Sequence, residues 1–136
     1  MADSYAALVA DSLAIIGREA PAPGAELCRL LAGQTLDITI DTETFGVVAD
    51  PWPRVTRAQP SPTVSLAASS ATVIAVIEGE TTLERAVWLD QLVVVGPLTT
   101  VAIVHDALLQ FAHAGVRSPS FPQLADRFRA LSEARR

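Results

Sequence analysis

Along residues 35–41, apolar and polar side chains alternate one for one: Leu36, Ile38 and Ile40 against Thr35, Asp37, Thr39 and Asp41. A period of two sets one face on a core and the other toward water, which predicts a half-buried strand. Thr42-Glu43-Thr44 reads as a hairpin turn into a second strand, FGVVA at 45–49. Pro51-Trp52-Pro53 forces a rigid turn. Residues 54–59, RVTRAQ, then read as an edge-like third strand with Arg54 and Arg57 outward. Pro60-Ser61-Pro62 breaks the chain before a fourth strand, TVSLA at 63–67. The run LVVV at 92–95 is too short for a helix and apolar throughout, so it predicts a buried central strand containing Val94.

Elsewhere the period is helical. Tyr5, Leu8, Val9, Leu13 and Ile16 predict an amphipathic helix over 3–17 that stops at Gly17. Pro21-Ala22-Pro23-Gly24 breaks it, and AELCRLLA at 25–32 makes a second short helix ending at Gly33. Residues 70–78 predict a third, capped by Gly79. Thr81 and Glu84 have the spacing of a capping box that opens a helix over 82–90. Gly96-Pro97 precedes the longest helix, 98–114, ended by Gly115. A final amphipathic helix, 121–136, carries Phe121, Leu124, Phe128 and Leu131 on one face.

Composition narrows the function classes. Half of the 136 residues are hydrophobic and 18% are charged, which excludes a disordered chain. That apolar excess needs a destination: an unusually buried sheet, a subunit interface or an apolar cavity. The formal charge is −5, every basic residue is Arg, and there is neither Lys nor Asn. Such usage fits GC-rich bacterial coding. Excess acid without a basic run argues against nucleic acid, whose affinity comes largely from phosphate neutralisation, and against attraction to anionic membrane surfaces. Cys28 is the sole cysteine, so no intrachain disulfide or cysteine cluster is possible. Asp3 and Asp11 spoil any secretory signal at the start, and no uncharged run is long enough to span a bilayer. The expected location is the cytoplasm.

Signatures of catalysis are mostly missing: there is no GxSxG, phosphate loop, GxGxxG, HExxH or CxxC. His105 and His113 stand eight residues apart on one helix, ~12 Å along its axis, too far to share a metal. On a helical wheel Thr99, Asp106, Gln110 and His113 share a polar face, whereas Val101, Val104 and Leu108 fill the apolar arc that also contains His105. His105 is therefore a hydrogen-bonded core histidine, a group fixing the polar end of an apolar ligand, or a general base. Asp106 points away from it. Trp88 reads as core or as a pocket wall, Trp52 as a covered turn or a binding anchor. Glu78, Glu80 and Glu84 read as a solvated helix end rather than as paired catalytic carboxylates.

Residues 63–109 carry a resemblance. The segment TVSLAASSATVIAVIEGETTLERAVWLDQLVVVGPLTTVAIVHDALL reads as a strand, a helix ending at Gly79, a helix with Leu83 and Ala86, a short apolar strand followed by Gly96, and a long helix from Leu98. In that order of elements it resembles the sterol carrier protein type 2-like family of sterol- and lipid-binding domains, and the hairpin LDITIDTETFGVV suits that family's first strands. Two landmarks depart from it: Asp90-Gln91 where the family has a Gly, and Pro62-Thr63 where it often has an Asp. The resemblance implies an α+β fold, an antiparallel sheet of about five strands with helices packed on one face, enclosing an apolar cavity. It implies one domain over 1–136, with a core over about 30–115, an N-terminal helical extension over 3–32 and the C-terminal helix 121–136.

The function expected is non-catalytic binding of a lipid-like or polycyclic molecule between the sheet and helices 70–78 and 98–114, with no cofactor and no metal. Candidate ligand contacts are Ile38, Ile40, Ile74, Ile77, Trp88, Val101, Val104, His105, Leu108 and Phe111. A tailoring or isomerising enzyme using His105 in the same pocket is one alternative. A dimerising or regulatory module acting on a partner enzyme or a second copy through helix 121–136 is another; that helix could equally close the pocket or pack on its own domain.

Overall fold

A computed structural model describes residues 3–136. In chain order they form α1 (Tyr5–Glu19), α2 (Pro21–Leu31), β1 (Thr35–Ile40), β2 (Glu43–Ala49), β3 (Pro53–Thr56), β4 (Val64–Ala68), α3 (Ser70–Ile77), α4 (Leu83–Trp88), β5 (Leu92–Val95), α5 (Leu98–Arg117) and α6 (Phe121–Ala134). The strands make one sheet in the order β3-β2-β1-β4-β5. Three of its pairings are antiparallel, and β1 with β4 is parallel, Leu36 facing Val64 and Ile38 facing Leu66. The fold is α+β as expected, on a mixed sheet.

The alternation in β1 sets the layers. Leu36, Ile40, Phe45, Val47, Val64 and Leu66 are buried and pack with Tyr5, Leu8, Leu27, Leu31, Leu124, Phe128 and Leu131 from the helices. Terminal helices thus supply much of the core. The opposite face carries Thr35, Thr39, Thr44, Ser65 and Ala67, and the Arg57 carbonyl passes so close to Gly46 that a Cβ there would sit 2.7 Å from it.

Several boundaries differ from the sequence expectation, each for a local reason. α1 runs through Gly17 to Glu19, and α2 begins at Pro21, where a first-turn proline needs no N–H partner. Gly24 lies inside α2 because the Trp52 ring fills the space: a Cβ would stand 2.7 Å from Trp52 Cη2. α5 likewise passes Gly115, against which the Phe121 ring lies. The β1–β2 turn is Asp41-Thr42, with Asp41 at φ 56°, so Glu43 already belongs to β2. Gly79 does end its helix region in the left-handed conformation, φ 75°. The cap of α4 is Thr82, which accepts from the Arg85 N–H at 3.1 Å, and not Thr81.

β5 requires a larger correction. It pairs with β4 alone and forms one edge of the sheet, with Val93 and Val95 exposed and Val94 half-buried. An apolar run signals burial only when both faces are covered, and here only the Leu92/Val94 face meets the core. β3, read as edge-like, is the other edge, and Arg54 points outward as expected.

Candidate ligand-binding face

α3 is apolar from Val73 to Ile77, yet of its residues only Ser70 is buried. Its N-terminus is built for precision. The Ser69 hydroxyl accepts from the Thr72 N–H, and Asp41 Oδ1 accepts from the Ser70 N–H at 2.8 Å. Ser70 and Ser132 join their hydroxyls at 2.7 Å, which ties α3 to α6. Hydrogen bonds from the Ser70 backbone and side chain and the Tyr5 hydroxyl, with the positive charge of nearby Arg135, hold the Asp41 carboxyl below its usual range despite partial burial. Further along α3, Val73 and Ile74 are half-buried against the core.

The ten candidate residues divide by burial. Ile40 and Val104 are core residues, 6% and 1% exposed. Ile38, Ile74, Val101, Leu108 and Phe111 are half-buried. Phe111 also packs on Phe121, ring centroids 5.9 Å apart, in a cluster with Ile16, Ala20 and Ala114. Ile77 is 47% exposed, and Trp88, read from the sequence as core or pocket wall, is 85% exposed. Trp88 is therefore no core residue. Trp52 is the covered turn, half-buried against α1 and α2. Val73 and Val94 join this half-buried set, though the sequence reading did not place them in it.

His105 is not a core histidine. Its side chain is 37% exposed, with Nε2 at 3.2 Å from Glu84 Oε1 and Nδ1 at 3.7 Å from Asp106 Oδ1. α4 brings Glu84 to it, a neighbour 21 residues away that no helical wheel of α5 could show. Its own backbone N–H and then the imidazole hold the Glu84 carboxyl below the ordinary range.

Two hollows stand out, and neither lies between the sheet, α3 and α5. One of about 340 Å³ is lined by Asp41, Ser69, Ser70, Arg135 and neighbours, and Asp41 already spends its oxygens within the protein. The other, about 290 Å³, lies between α1 and β3 and is lined by Ala10, Leu13, Ala14, Trp52 and Val55. Ile38 and Val94 from the sheet, Val73 and Ile74 from α3 and Leu108 from α5 are half-buried against the core. Among the described residues, no helix is long and apolar enough to cross a membrane, and no group of three His, Cys, Asp or Glu is arranged to hold a metal ion.

No family model matches the sequence, and neither does any curated protein. Solved structures do match. A UbiJ-SCP2 ubiquinone synthesis protein superposes with a TM-score of 0.61 at 14% identity, over 80% of this chain and 89% of that one. The sterol carrier protein domain 2 of Helicoverpa armigera gives 0.59 at 15% identity, over 85% and 95%. Sterol carrier protein 2 of Yarrowia lipolytica, in its apo form, gives 0.55 at 16% identity, over 76% and 85%.

Proposed function

We propose that this chain, which has the sterol carrier protein 2-like fold, binds a lipid-like or polycyclic hydrophobic molecule on the apolar face bounded by the sheet, α3 and α5. The observation that carries the reading is α3, five consecutive apolar residues of which none is buried by the protein's own core. A ligand supplies the missing cover. Ile38, Ile74, Val101 and Leu108 form its walls, with Phe111 at the far end, while Ile40 and Val104 support them from beneath and Ile77 borders the opening. His105, held by Glu84, meets a polar end of the ligand. The driving force is burial: ~300 Å² of ligand surface at ~25 cal/mol per Å² contributes ~7 kcal/mol before association costs. The role is that of a carrier or accessory domain in the cytoplasm.

Native mass spectrometry of protein purified from its host, followed by titration with a fluorescent long-chain fatty acid and a fluorescent sterol, tests this. A co-purified apolar ligand, or binding that Ile74→Asp weakens by at least about tenfold, is expected. Absence of both overturns the proposal. The His105–Glu84 contact favours one second reading, an enzyme with His105 as acid or base oriented by Glu84. On that reading His105→Gln costs ~10²–10⁴ in turnover with affinity kept; for a binder it changes affinity less than about tenfold.

A further inference from the structure

We propose that β5 is a dimerisation edge, on which a second copy of this chain pairs its own β5 antiparallel about a two-fold axis. Eight large hydrophobic residues are exposed among the described residues, and six of them fall within residues 87–98: Val87, Trp88, Leu89, Val93, Val95 and Leu98. This concentration runs from α4, which packs against β5, through β5 to the first residue of α5. Val93 and Val95 point from the sheet's outer face, α4 packs against β5, and Leu98 opens α5 three residues after Val95.

The two edges of the sheet are treated differently by the sequence. β3 begins with Pro53 and carries exposed Arg54, the devices that discourage another strand from adding on. β5 is LVVV, without proline or charge, and Val95 is 62% exposed. An open edge offers a row of unpaired N–H and C=O groups, which a hydrocarbon surface cannot satisfy and another strand can. Those backbone groups decide for a protein strand over a lipid surface.

Self-complementarity decides for a second copy. Opposed residues in an antiparallel pair share a face, so Val93 meets either Val93 or Val95 of the partner subunit, and no like charges face each other across the strands. Such a contact is isologous and closes at two copies. The area is of the right order: Trp88 at 85% exposure alone presents on the order of 200 Å². With its five companions it approaches the scale of the ~800 Å² that each partner contributes to a standard interface. The expectation of a dimer through helix 121–136 has no such surface, because Leu124, Phe128 and Leu131 are spent in the protein's own core.

The test is sedimentation velocity of the full chain from about 1 to about 100 µM, spanning ordinary interface affinities, beside Val93→Lys/Val95→Lys. Wild type is expected to dimerise within that range. The double variant is expected to raise the dimer Kd at least about a hundredfold, with unchanged far-UV circular dichroism and unchanged fatty-acid binding. A wild type that stays monomeric throughout overturns the proposal, as does a dimer that survives both lysines. So does a monomer that floats with neutral phosphatidylcholine vesicles. Should the variant fail to fold, amide exchange of the wild type decides instead. Residues 92–95 exchange more slowly as concentration rises if the edges pair, and independence of concentration refutes the pairing.

Discussion

Glu43 belongs to a strand and acts at the start of a helix. Its Oε1 accepts from the Tyr5 N–H at 3.0 Å and its Oε2 from the Ala6 N–H at 2.8 Å, while Ser4 takes the Ala7 N–H through its hydroxyl and the Leu8 N–H through its carbonyl. The amides of the first three helical residues, which a helix N-terminus leaves without partners in its own ladder, are thereby satisfied, and the Leu8 N–H opens that ladder. Arg135 reaches Glu43 at 2.7 Å and stacks over the Tyr5 ring at 4.9 Å. Burial pushes the Glu43 carboxyl up, but bonds from Ala6, Arg135 and Tyr5 outweigh it, and the net shift is downward. Glu43→Ala is expected to lower stability in urea unfolding at pH 7 by about 1–2 kcal/mol. Because Asp41 and Glu43 titrate below their unfolded values of 3.8 and 4.5, their contribution is complete above those values and is lost as pH falls through the lower folded ones. Acid unfolding of Glu43→Ala should therefore be less steep below about pH 4.5, which urea midpoints taken across pH 2–7 would reveal.

At the scale of elements, α5 and β5 differ in how they are held. α5 packs along α2 and buries Val104, Ala107 and Ala114. β5 is held by β4 on one side and leaves the other open. Val94 faces the core opposite Leu66, which is 5% exposed, yet it stands at an edge where a polar group can turn to water. Read as a central strand, LVVV would respond to Val94→Asp by failing to fold or by losing several kcal/mol. On the edge it has, the variant is expected to fold cooperatively with a loss of about 2–3 kcal/mol, measured by the shift of its urea midpoint at unchanged m-value. Failure to fold would refute the tolerance expected of this edge.

For the whole molecule, the half-buried aliphatic face makes stability depend on occupancy. A ligand that binds only the folded state stabilises it by about 2.7 kcal/mol at a free concentration a hundred times its Kd. Thermal scans with a fluorescent fatty acid or sterol should show Tm rising with the logarithm of ligand concentration. No rise at concentrations that saturate the fluorescence signal would place that binding in the unfolded chain, or equally in both states.

Period and punctuation determined most of the elements. Alternation placed β1, the 3.6 period placed α5 and α6, and Gly79 and the prolines divided the chain, because those signals act between near neighbours. Element order also carried the likeness of fold. Tertiary structure alone decided what required distant residues to meet. Gly17, Gly24 and Gly115 became interior helix positions because Trp52 and Phe121 arrive from elsewhere to fill the space beside them. His105 left the core because α4 sets Glu84 against it, and Trp88 left because α4 buries Ala86 and leaves Trp88 in solvent. LVVV became an edge because burial of an apolar run depends on whether a further strand covers it, a fact that no stretch of four residues contains.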